Sequence, residues 1–157
     1  MSVQLRVGIQ KTVRAPVAPR FLRGVLTAAV DEPAVSDRLP GRALEMTVRV
    51  AGDRELRRLN RDFLGEDRAT DVLSFPSGDA APGYLGDLAL SWPAVRRQAA
   101  EHGHSEEVEA ALLLVHGLLH LLGWDHASAL EEREMTGLTL VCLGRSGIVP
   151  AAASTAS

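Results

Sequence analysis

One buried helix sets the terms for this chain. Residues 105–122 read SEEVEAALLLVHGLLHLL. Ser105 is a natural N-cap, and Glu106, Glu107 and Glu109 suit the positive end of the helix dipole. The second half is apolar nearly all round, so other layers must cover it on every side. The run from 110 to 122 is broken by His116 and Gly117 and is too short to span a bilayer. Gly123 is the expected stop, left-handed past the C-terminus, with Trp124 folding back on Leu119.

The covering layers are legible in the rest of the chain. Residues 3–10 (Val3, Leu5, Val7, Ile9) and 44–50 (Leu44, Met46, Val48, Val50) alternate apolar and polar, as half-buried strands do. Residues 16–30 set Phe21, Leu22, Val25, Leu26 and Ala29 on one helical side; residues 52–63 do the same with Leu56, Leu59 and Phe63. DEPAVSDRLPG reads as a loop. TDVLSFP (70–76) and YLGDLALSW (84–92) read as two further strands joined by SGDAAPG. Helices are predicted at 93–102, 105–122 and 128–143. This order gives an α+β (α/β) fold: a small mixed four-stranded sheet packed with about five helices, in a single domain over residues 1–149. The small, polar tail, residues 150–157, is expected to be disordered.

Composition adds bounds. A chain of 157 residues buries roughly 70% of its unfolded surface and needs no disulfide. Its one cysteine, Cys142, sits in LTLVCLG and is expected to be a buried small hydrophobe. The N-terminal MSVQLRVGIQ lacks the basic-then-apolar pattern of a secretory leader, so a cytoplasmic location is expected. The net charge of −3 gives no basic footprint overall, so nucleic acid would have to be held by a local patch.

Three of the five histidines fall in HGLLHLLGWDH, residues 116–126. His116 and His120 share a helix face, with Cβ atoms roughly 5–6 Å apart. The turn at Gly123 brings the chain back, so His126 can supply a third nitrogen. Three neutral imidazoles leave a fourth tetrahedral position open, the mark of a catalytic zinc site. A lone histidine on an apolar helix is commonly a core residue, and a pair can arise by chance. The glycine break and a third histidine at this offset favour Zn2+ on His116, His120 and His126. His102 and His104, in EHGHSEE, are expected to be exposed and unrelated.

This spacing matches that of the metzincin peptidases except at one position. Where peptidases carry a glutamate as general base, this chain has Gly117. A peptidase is therefore disfavoured. Another group must handle the proton, or the substrate must bring its own nucleophile, as RNA does with its 2′-hydroxyl. Asp125 is the carboxylate nearest in sequence. Its two open roles are an outer hydrogen bond that orients a histidine, which is preferred, and direct catalysis.

HGLLHLLGWDH resembles the signature of the YbeY family, the bacterial endoribonucleases and rRNA maturation factors. LN at 59–60, TDVLSFP at 70–76, LGD at 85–87 and EEREM at 131–135 are similar to further family segments. The resemblance implies a zinc-dependent, single-strand-specific endoribonuclease that acts in 16S rRNA maturation and small-subunit quality control. It implies the small ribosomal subunit as a partner. It also implies that Ser74, Phe75 and Pro76, together with Thr70, line the cleft beside the metal. The alternative is an assembly factor with mainly structural zinc and little or no nuclease activity.

Two positions depart from the family pattern. Leu64 stands where many members have an arginine implicated in activity, and Ala69 where many have proline. The arginine's role is then absent or taken over by Arg61 or Arg68. Arg54, Arg57, Arg58 and Arg61 form a basic stripe opposite Leu56, Leu59 and Phe63. On pattern alone it reads as a solvated face balanced by Asp53, Glu55 and Asp62; the resemblance tips it toward RNA, with Arg57 contacting substrate. Aromatics are only 4% of the chain, so base stacking is not expected to be the main mode of binding.

Overall fold

Both alternating N-terminal stretches form strands, and they pair. In the computed structural model, which describes residues 3–78 and 82–151, β1 (Gln4–Lys11) runs parallel to β2 (Ala43–Ala51), with Leu5 opposite Leu44 and Ile9 opposite Val48. Helix α1 (Pro19–Val30) makes the crossover that a parallel pair needs. It starts at Pro19, where the missing N–H has no helical partner to lose. The expected loop at 31–41 contains a helical turn, α2 (Pro33–Ser36), because Pro33 opens it and Val35 is drawn fully into the core.

After β2 come α3 (Asp53–Leu64), β3 (Val72–Pro76), β4 (Tyr84–Ser91), α4 (Trp92–His102), α5 (Glu106–Leu121) and α6 (Ala129–Gly144). The sheet order is β1-β2-β4-β3, with β4 parallel to β2 and antiparallel to β3, which is an edge strand. This is the expected α+β fold with a mixed sheet. Loop residues 79–81 and the tail beyond Ala151 lie outside the described residues.

Strand alternation sorts the sheet into two faces. Met46, Val48, Val50, Leu88 and Leu90 join the main core with α1, α5 and α6. Leu73 and Ala89 face the other way, onto Leu56 of α3, with Leu59 and Phe75 beside them. Helix α5 packs against β3, β4, α1, α4 and α6, and Leu114, Leu118 and Leu119 are fully buried. Each such leucine contributes roughly 1.5–3 kcal/mol, so packing rather than helix propensity fixes α5 in place. Cys142 is buried, as expected.

The ends of α5 follow the sequence closely. Ser105 accepts the Val108 N–H at 3.2 Å. At the far end, Trp124 N–H reaches the Leu119 carbonyl (3.0 Å) and Gly123 N–H the His120 carbonyl (3.1 Å). That pair of bonds is a Schellman turn, and it needs the positive φ (99°) that Gly123 adopts.

Candidate metal centre

Two turns of α5 and the bend after it bring three imidazoles together. Nε2 of His116 and Nε2 of His120 are 3.0 Å apart. The His126 ring centroid lies 5.8 Å from that of His116 and 5.0 Å from that of His120. One nitrogen from each ring falls within 4.8 Å of the other two, close enough to hold a metal ion. In a tetrahedral site with bonds of about 2.0–2.1 Å, neighbouring ligand atoms lie about 3.3 Å apart, near the spacing seen here. The donor set also fits in charge. Burial, then the neighbouring His120 and His126, push His116 down to about 4, with Asp71 opposing. His120 is lowered by burial and by His126, against a hydrogen bond to the Trp124 backbone and the charge of Asp125. At neutral pH His116 is therefore unprotonated, as ligation requires.

The rings open into a cleft of about 420 Å³, lined by Thr70, Asp71, Ser74, Pro76 and the three histidines. Its other wall is β3. Ser74 Oγ donates to the Gly117 carbonyl at 2.9 Å, tying this strand to the ligand-bearing helix. Gly117 faces the sheet, and a Cβ there would meet Leu88 at 3.1 Å and Val72 at 3.2 Å. The glycine is what lets α5 lie this close to β3 and β4. Upstream, buried Asn60 donates to the Arg68 carbonyl (3.0 Å) and its own carbonyl accepts the Glu66 N–H (3.2 Å). This clamp directs the 65–71 segment into β3 and accounts for the LN motif.

Comparison with known proteins bears on what such a cleft is for. A family model described as endoribonuclease YbeY matches residues 10–146. The chain belongs to the YbeY family. It is 40% identical to the endoribonuclease YbeY of Gloeobacter violaceus over 85% of this chain and 79% of that one. To that of Aromatoleum aromaticum it is 42% identical over 94% and 88%, and to that of Solibacter usitatus 50% over 73% and 69%. The solution structure of TM1509 from Thermotoga maritima shares the fold, with a TM-score of 0.59, 22% identity and 92% of each chain covered. YbeY members carry the name of nuclease hydrolases, which is the enzyme class expected from the motifs. Among the described residues no helix is long and apolar enough to cross a membrane.

The expected site residues of this YbeY chain separate into two groups. His116, His120, His126, Thr70, Ser74 and Pro76 meet in the cleft. Phe75 does not. Side chains alternate along β3, so with Ser74 toward α5, Phe75 turns to the α3 side. Asp125 accepts the His126 backbone N–H at 2.7 Å and acts on His120 through its charge, outside the cleft lining. Arg57, Arg61 and Arg68 do not line the cleft either; they are exposed and ion-paired with Asp67, Asp62 and Glu66. Phe63 stays beside Leu59 and Phe75 on the apolar side of α3 but is 68% exposed, because it lies in the last turn of the helix.

Three lining residues were not anticipated, Asp71, Val72 and Leu73, of which Asp71 alone brings a polar side chain. Asp71 reaches the cleft from the bend before β3, where strand alternation has not begun. Its Oδ1 accepts the Val72 N–H (2.7 Å) and its Oδ2 a hydrogen bond from Gln98 (3.2 Å). The available signal was its position as the one carboxylate in TDVLSFP.

His102 and His104 correct a second expectation. They are not exposed bystanders: both rings meet the buried Glu109 carboxylate, His102 Nδ1 at 2.8 Å and His104 Nε2 at 2.6 Å. A carboxylate at 1% exposure must be paired, and these rings supply the N–H groups. This group too has three ligand atoms within 4.8 Å of one another and could hold an ion.

Proposed function

We propose that this chain is a zinc-dependent, single-strand-specific endoribonuclease acting in the cytoplasm on 16S rRNA ends and in small-subunit quality control. One observation supports this above others: three convergent imidazoles open onto a cleft with a carboxylate on its wall and no glutamate at the peptidase position. Family membership supports an RNA substrate; association with the small ribosomal subunit is part of the proposal.

His116, His120 and His126 hold the ion, which when bound supplies Lewis acidity to a phosphoryl oxygen. Asp71, the only carboxylate lining the cleft among the described residues, takes the proton of the attacking hydroxyl. Hydrogen bonds from the Val72 N–H, the Gln98 amide and the Thr70 hydroxyl fix its orientation. Ser74 holds β3 at a constant distance from the ligands, and Thr70 and Pro76 shape the wall against which the sugar-phosphate chain lies. Asp125 fixes the backbone of the third ligand and orients it. Arg57, Arg61 and Arg68 serve at the rim: exposed ion pairs are worth at most about 1 kcal/mol, so an RNA phosphate displaces their carboxylate partners.

The test is hydrolysis of single-stranded RNA by purified protein, with metal content measured alongside. One zinc per chain and cutting that is lost on chelation and on His120→Ala are expected. Zinc-loaded protein that leaves RNA intact would overturn the nuclease reading.

Leu64 favours a second reading, that of an assembly factor with a mainly structural metal. Leu64 brings no charge to the position where the family pattern has arginine. On the nuclease reading, Leu64→Arg raises cutting. If activity stays flat in this variant, Leu64 does not mark a weakened site.

A further inference from the structure

We propose that a groove on the outer face of the sheet, around Phe63 and Phe75, binds unpaired nucleobases of the RNA whose backbone occupies the metal cleft. This rests on the nuclease reading above.

The groove has a volume of about 520 Å³ and lies on the side of the sheet away from α5. Two of the chain's three phenylalanines meet there, edge to face, with ring centroids 5.6 Å apart and planes at 68°. Phe63 is 68% exposed and Leu64 beside it 54%. The fold gains little from either, so two large apolar side chains stand in water at one spot. Both line the groove, and Phe75 forms its inner wall.

Position ties the groove to the reaction. Ser74 and Pro76 line both the groove and the metal cleft. β3 is an edge strand, so only its own width separates the two. An RNA strand that lies over this edge places its backbone at the histidines and turns its bases onto the aromatic pair.

The chemistry of the walls selects a base over a phosphate. Among the described residues the only cation lining the groove, Arg49, is already paired with Glu55. Asp87 repels an anion. An unpaired base offers a flat π face for Phe63 and edge groups for the Thr47 hydroxyl and the Asp87 carboxylate. A platform of this kind tolerates any base, because each has a π face.

The experiment measures binding, so it does not depend on cutting. On the His120→Ala background, which keeps RNA intact, fluorescence anisotropy compares a single-stranded RNA with an abasic oligomer of the same length. The RNA binds more tightly, and Phe63→Ala lowers its affinity about tenfold while leaving the abasic oligomer unchanged. Phe63→Leu behaves like Phe63→Ala, and Phe63→Tyr restores the wild-type preference. Because Phe63 is largely exposed, these variants keep the fold, which a thermal melt verifies. Equal binding of the two oligomers by the parent protein overturns the proposal. So does a Phe63→Ala variant that keeps the preference for RNA, or one that loses both oligomers equally. A variant that alters only the protein's self-association reassigns the face to protein contact and overturns it too. If wild-type protein never cuts RNA yet the base-dependent affinity holds, the nuclease reading falls and the base site stands.

Discussion

Helix α5 carries a histidine cluster at each end, and the two ends behave differently. At its N-terminus His102 and His104 close on Glu109; near its C-terminus His116 and His120 meet His126. Both clusters gather three ligating groups within the same radius. At the first, the groups satisfy one another. Glu109 is acceptor to both rings, and His104 Nδ1 accepts the Ala151 N–H at 3.3 Å, which leaves the proton on Nε2 facing the carboxylate. The carboxylate also sits at the positive end of the helix dipole. At the second cluster no carboxylate among the described residues closes the set, three nitrogens face an open cleft, and the nearby helix C-terminus favours a cation. Proximity alone does not make a metal centre; unspent lone pairs do.

The sharpest way to break this comparison is metal stoichiometry. Wild type binds one zinc, His120→Ala binds none, and Glu109→Gln still binds one, as read by elemental analysis of dialysed protein. Loss of activity in His120→Ala exceeds the roughly 10–100-fold that changes outside the ligand set cost. Two ions per chain, or zinc retained in His120→Ala, would erase the distinction between the two ends.

Next in size is stability. Glu109→Ala leaves two half-buried ring donors without their acceptor and costs about 3 kcal/mol in urea unfolding. Acid acts on the other end. His116 titrates near 4 in the folded protein against an ordinary value of 6.5. Between those values the unfolded chain binds more protons, so metal-free protein loses stability as pH falls from 6.5 to 4, by about 3 kcal/mol in all. His116→Phe flattens that slope, and calorimetry across the window checks it.

The smallest effect is expected at Gly117→Ala. The added methyl gains about 1 kcal/mol of helix propensity, but it crowds Leu88 and Val72 at a cost of about 1–3 kcal/mol. The variant is about 1 kcal/mol less stable, with zinc binding weakened because α5 shifts against β3.

How much of this was legible in the sequence depends on the range of the forces involved. Local rules carried far: alternation placed the strands, Ser105 and Gly123 marked the ends of α5, and four-residue spacing put His116 and His120 together. Failures came where a partner outside the local window decides. The family resemblance implied Phe75 beside the metal together with Ser74 and Pro76, but the pleat sends it to the opposite face. Asp71 enters the cleft only through the bend before β3. His102 and His104 look like loop residues until the turn at Gly103 folds them onto Glu109. Phe63 fits the helical period yet is largely exposed, because it lies in the last turn of α3.

The tight seat of Gly117 also bears on how this scaffold can evolve. A hydrolase with the same ligand spacing would become a peptidase by one codon change, if the backbone allowed a glutamate beside the first histidine. Here that position is walled by Leu88 and Val72, and a carboxylate would have to enter a dry contact between helix and sheet. A glutamate there meets that packing before its chemistry can count, so reshaping the walls of the cleft is the less costly way to alter this site.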